Sequence, residues 1–218
     1  MPFDFITCGV VLVLSAVVAL ISSELINCFY RLEPEVLSFP FALNERKKRR
    51  FMIIALGMSV YLWLIALISR SLAGFDALLF VTGRFCLAWW LLIIICTDFE
   101  QQVIFDRLLV PMSLLGIMFS LVGGAPLLTH ILAALAGGAF FLFLAVISHG
   151  GIGGGDIKLM ACLGLWCGKK LLPITVWGLI LAGLAAILLL VLRQKKRREF
   201  FAYGPYFAFS ALYIMASP

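Results

Sequence analysis

Eight stretches of almost unbroken apolar residues, at 6–29, 51–69, 77–97, 108–123, 127–148, 157–168, 171–192 and 204–216, leave this chain few ways to fold. A helix of about 20 apolar residues crosses the hydrocarbon core of a bilayer. Inside lipid every backbone N–H and C=O must be satisfied within the protein, which a helix achieves by itself. The expected fold class is therefore an all-α polytopic membrane protein with about eight transmembrane helices. Composition excludes the soluble alternative, because 64% of the residues are hydrophobic and 13% charged, against roughly half and a quarter in soluble domains. The stretches at 108–123 and 157–168 are short. At the helical rise they reach only about 24 and 18 Å, less than the roughly 30 Å core, so a depressed or water-filled side is expected beside them.

Lysine and arginine placement sets the orientation. With eight spans, Arg31, the run at 46–50, Arg107, Lys158 and the run at 193–198 fall on one side, and Arg70, Lys169 and Lys170 on the other. The crowded side reads as cytoplasmic, which puts loops 30–50 and 193–203 inside the cell and both termini outside. The net charge of +6 is thus the charge of membrane loops, and no nucleic-acid partner is expected. Cys8, Cys28, Cys86, Cys96, Cys162 and Cys167 form no Cys-x-x-Cys pair and read as small core residues. His130 and His149 form no cluster, so no metal site is expected. Met1-Pro2-Phe3-Asp4 carries no positive residue, and a removable signal peptide is not expected.

Ionisable groups at membrane depth are costly and mark candidate sites. Asp98 ends the third stretch and Asp156 opens the sixth, after Gly150-Gly151-Ile152-Gly153-Gly154-Gly155. In the eight-span reading both lie at cytoplasmic helix ends, where they can meet. Two carboxyl groups in close contact share a proton and titrate as a pair. Such a pair can split a peptide bond: the ionised partner takes a proton from water while the protonated partner polarises the scissile carbonyl. Gly153, Gly154 and Gly155 permit positive φ and let a substrate backbone come close. The plainer reading of Asp156 is a helix-start acid. Glu100 and Asp106 lie in the same polar stretch as Asp98, and spacing does not choose among the three. Asp106, beside Arg107, reads as a solvated or paired helix-start residue, and Glu100 and Asp106 together would attract a positively charged leader. Glu24 reads as interfacial, Arg84 as snorkelling outward, Lys158 as a headgroup contact and His149 as an ordinary interface residue.

Three motifs carry a family resemblance. They are Thr97-Asp98-Phe99 followed by Ile104, Asp106 and Pro111; Gly153-Gly154-Gly155-Asp156-Ile157-Lys158-Leu159; and Tyr203-Gly204-Pro205-Tyr206-Phe207-Ala208. In this order, from about Cys96 to the C-terminus, they resemble the type IV prepilin peptidases, which are GxGD intramembrane aspartyl proteases. The resemblance implies a GxGD helical bundle with a divergent membrane region at 1–70 and a six-helix core at 71–218. It implies Asp98 and Asp156 as the catalytic pair. The implied reaction is removal of a leader peptide, after a glycine, from type IV prepilins or type II secretion pseudopilins at the cytoplasmic face of a bacterial inner membrane, with both termini periplasmic. Proteolysis of this kind needs no cofactor, whereas members that also methylate the new N-terminus use S-adenosylmethionine. Phe105 stands where the family has a proline, and loop 30–50 lacks the paired Cys-x-x-Cys of longer members. Two other classes compete: a proton-coupled transporter with Asp98 and Asp156 as relay, and an inactive homologue kept as an assembly partner. No internal repeat supports transport, and retention of both aspartates argues against inactivity.

Overall fold

A computed structural model describes residues 5–39, 43–69, 72, 74–149, 151–192 and 202–216, with backbone alone at 5–7 and 43–46. The basic run at 193–198, Arg70, Gly150 and the first four residues lie outside them. Among the described residues there are eight α-helices: α1 Phe5–Leu32, α2 Leu43–Ile68, α3 Gly74–Gln101, α4 Asp106–Val122, α5 Leu127–Ile147, α6 Gly154–Cys167, α7 Leu171–Val191 and α8 Gly204–Ala216. Among the described residues there is no strand. Each apolar stretch of the sequence corresponds to one helix. Within the described residues five segments are long and apolar enough to cross a membrane, namely Cys8–Leu32, Lys47–Ile68, Gly74–Gln101, Leu127–Ile147 and Gly154–Val191. The last joins α6 and α7 through a 3-10 turn at Gly168–Lys170. Large apolar side chains such as Val13 (65%) and Leu56 (68%) are exposed on these helices, as lipid-facing surfaces require. The chain is an all-α polytopic membrane protein.

Its packing divides into two compact units, Met1–Val103 with Ala216–Pro218 and Ile104–Met215. In the first, α2 packs against α1 and α3 around fully buried Ile26, Ile54, Met58, Ile65 and Leu91. The Trp89 indole N–H donates to Ser22 Oγ at 2.8 Å, and that hydroxyl donates to the Val18 carbonyl at 2.6 Å. Such interhelical bonds strengthen apolar contacts that lipid competes with equally well. α2 starts eight residues before the apolar stretch because Glu45, Arg46, Lys47, Lys48 and Arg49 are good helix formers that hydropathy does not register. Arg84, expected to snorkel, holds its guanidinium 4.8 Å from the centre of the Phe80 ring, one turn toward the start of α3.

In the second unit α6 packs against both α4 and α5. Gly164 makes the α5 contact possible, since a Cβ there would run into the Cα and N of Ala134. On α4, Gly116 admits the Trp166 ring, 2.6 Å from where a Cβ would stand. The Trp166 indole N–H donates to the Met112 carbonyl at 2.6 Å, and Cys162 Sγ lies 2.6 Å from Ser113 Oγ. The last carbonyls of a helix lack intrahelical donors, and His130 Nδ1 supplies one to Leu165 at 2.8 Å. Gly168, at φ +52°, turns the chain beneath that imidazole. α7 and α8 are tied by Ser210 Oγ donating to the Ile174 carbonyl at 2.8 Å. Phe207 stands edge-on to Phe141, with ring centres 4.9 Å apart.

Candidate active site

Asp98 belongs to the first unit. α3 continues past it to Gln101, so the acid sits in the last turn rather than at the end of the helix. The helix stops because Gln102 adopts φ +56° and its N–H bonds the Asp98 carbonyl at 2.9 Å, the left-handed ending that glycine usually supplies. Asp98 is 4% exposed.

Its neighbours explain how this turn is held. Glu100 accepts from Arg50 Nε at 2.9 Å and from Arg50 Nη2 at 2.7 Å, and from the Tyr30 hydroxyl at 3.0 Å. Arg50, 0% exposed, also donates to Asn27 Oδ1 at 2.8 Å and the Ser23 carbonyl at 3.3 Å. Glu100 was expected to face a leader peptide; its charge is instead matched by Arg50 inside the bundle. Gln101 accepts the Phe39 N–H at 2.7 Å and donates to the Phe39 carbonyl at 3.0 Å, fastening the loop after α1. The signal in the sequence is the polar spacing Ser23, Asn27, Tyr30, which places three hydrogen-bonding residues on one face of an otherwise apolar α1. Glu24 is exposed and ion-paired with Lys47 at 2.7 Å.

Asp156 belongs to the second unit. Gly153, extended at φ −70° and ψ 148°, precedes the helix, which starts at Gly154. Asp156 is thus the third helical residue, and its N–H bonds the Gly153 carbonyl at 3.1 Å. A carboxylate there meets the free N–H groups of the first turn. The backbone amides of Gly153 and Gly204 face it. Gly204, the first residue of α8, is a member of the site that composition and spacing did not indicate. Asp156 is 7% exposed, and its Oδ1 is buried with no hydrogen-bond partner among the described residues. A buried polar atom left in that state calls for an explanation.

The glycines act differently from the expectation. No described glycine of the run has positive φ, and the left-handed residue is His149 at φ +52°. Gly155 is small for a steric reason, since a Cβ there would lie 3.0 Å from the Cβ of Ile104. Gly154 is exposed and has no neighbouring atom within 4 Å of its Cβ direction. Lys158, which reads as a headgroup contact in the sequence, pairs with an acid here: its Nζ lies 2.8 and 2.7 Å from the two carboxylate oxygens of Asp106. It projects away from Asp156, as residues two apart on a helix do, and joins the start of α6 to the start of α4. Both side chains of this pair are more than half exposed, at 57% and 63%. Lys158→Met is therefore expected to change unfolding free energy by less than about 1 kcal/mol, read by thermal melting in detergent.

Residues 85–191 match the type IV leader peptidase family. The chain is 31% identical over 157 residues to the prepilin leader peptidase/N-methyltransferase of Escherichia coli (strain K12), covering 67% of this chain and 68% of that protein. It is 36% identical over 129 residues to the protein of the same name from Neisseria gonorrhoeae, covering 56% of this chain. The Pseudomonas putida protein of that name is 29% identical over 174 residues, 77% of this chain. The chain spans 44% of the Neisseria protein and 58% of the Pseudomonas protein. No solved structure matches.

Proposed function

This chain belongs to the type IV leader peptidase family, and from that premise we propose that it is an intramembrane aspartyl endopeptidase removing leader peptides, after a glycine, from type IV prepilins or type II secretion pseudopilins. The observation that carries the reading is the Asp156 carboxylate, buried at a membrane helix start with one oxygen unmatched. We assign Asp98 as its partner. One carboxylate takes a proton from the attacking water and the other, protonated, polarises the scissile carbonyl and later protonates the leaving amine. No step calls for a metal or a covalent intermediate.

Around this pair we propose an eight-span topology in a bacterial inner membrane, with loops 30–50 and 193–203 cytoplasmic, both termini periplasmic, and 71–218 as the peptidase core. Gly154 presents open backbone to the substrate beside Asp156. Gly154→Val is expected to melt like the wild type and to cleave at least about tenfold more slowly, on the scale of a misplaced reacting bond. Asp106, paired with Lys158, lines the same helix start. The relatives' names favour the peptidase reading over a proton relay.

Those names also include N-methyltransferase. A sulfonium donor such as S-adenosylmethionine calls for an available carboxylate. In the N-terminal unit Glu24 is matched by Lys47 and Glu100 by Arg50. Glu100, paired inside the bundle, is not available to such a group, whereas the Glu24–Lys47 pair is exposed on both sides and leaves the Glu24 carboxylate accessible. Co-expression with candidate prepilins, followed by mass measurement of the processed N-terminus, tests both activities. Cleavage after glycine supports the peptidase, an added methyl group supports the second activity, and unprocessed substrate contradicts the proposal.

A further inference from the structure

We propose that the buried Arg50–Glu100 pair is a positioning device for Asp98, an assignment that rests on the reading of Asp98 as catalytic. Helix ends fray, and Asp98 lies within the final turn of α3. That turn is bonded from several sides. Glu100 is fixed to α2 through Arg50 and to α1 through the Tyr30 hydroxyl. Arg50 is itself fixed to α1 through Asn27 and the Ser23 carbonyl, and its guanidinium lies 5.3 Å from the centre of the Tyr30 ring. Gln101 adds the double bond to the Phe39 backbone, and Gln102 closes the turn on the Asp98 carbonyl. The two-pronged contact of a guanidinium with a carboxylate fixes direction as well as distance.

Stability alone does not account for this construction. Desolvating two charges offsets most of their attraction, and a well-packed apolar pair is often as stable or more so. The surrounding helices are rich in leucine and isoleucine that could fill the same space. What the ionic pair provides and an apolar pair does not is a single orientation of the α3 end. It also cancels the negative charge of Glu100. The pair touches no substrate in this account. It acts through Asp98.

The test compares the full chain with Arg50→Met/Glu100→Leu, reading kcat and KM for a membrane-embedded prepilin together with the melting temperature. The double variant is expected to insert and to melt at or above the wild type, while kcat falls on the order of tenfold to hundredfold, the cost of a slightly misplaced catalytic group. KM stays within about twofold, because uniform binding is untouched. A wild-type kcat in the folded double variant would overturn the inference, as would a loss carried wholly by KM. Should the double variant fail to insert, Glu100→Gln, which keeps an acceptor for Tyr30, is read for kcat per folded molecule with the same two outcomes. Asp98→Asn is run in parallel. If it cleaves at the wild-type rate, the catalytic reading falls; if it is inactive while the double variant is wild-type, only the positioning role falls.

Discussion

Asp98→Asn and Asp156→Asn should each abolish leader cleavage, a loss of at least about a thousandfold, while the protein still inserts and folds. An amide matches the carboxylate in size and can hydrogen-bond, but it neither takes a proton from water nor returns one to the leaving amine. The two substitutions should not add. Once one member of an acid–base pair is gone the other has nothing to work with, so the double variant is expected to be no slower than either single one. Folding should not suffer. Asp156 is buried with Oδ1 unmatched, so removing its charge relieves a desolvation cost, and Asp156→Asn is expected to melt at or slightly above the wild-type temperature. Gel mobility of a co-expressed prepilin reads the first effect and a melting curve of the purified variant the second. Inactivity together with a lowered melting point would mark Asp156 as a structural cap.

Gly164→Ala is expected to have the opposite signature, with a large loss of stability and an effect on cleavage only through the fraction that remains folded. The new methyl group meets the backbone of Ala134, which no rotamer change can move aside. α5 and α6 must separate along their shared face, at a cost of about 3 kcal/mol, the upper end for overpacked cores. At Gly116 the obstacle is the Trp166 ring. That side chain can swing, but only by giving up its 2.6 Å bond to the Met112 carbonyl, so Gly116→Ala is expected to cost less. Thermal melts of the two variants give the order.

The helices were legible because lipid imposes the same demand on each of them: satisfy the backbone locally and expose apolar side chains. Hydropathy therefore located all eight, including the short 157–168 stretch, observed as Gly154–Cys167. It missed the polar start of α2 and the last turn of α3, since a helix continues past the bilayer edge wherever its residues favour it. Asp156 was legible as a charge at a helix start after glycines. What those glycines do was not. The φ angles of those described are ordinary, and the need for a small residue at Gly155 comes from Ile104, which meets it only in three dimensions. Lys158 and Asp106 are separated by 52 positions, and Arg50 and Glu100 by 50. Neither pairing has a local signature. For Glu100, the rule that a buried charge needs a partner together with the polar spacing on α1 would have identified a network, though not Arg50 within a run that reads as a cytoplasmic loop.

The chain spans only part of several of its relatives, which makes activity of the isolated chain the decisive question. Purified chain reconstituted alone into liposomes with a membrane-embedded prepilin is expected to make a single cut after a glycine, lost in Asp156→Asn and identified by mass. Intact substrate beside the folded wild-type chain, under conditions in which a full-length relative cuts it, would contradict the account.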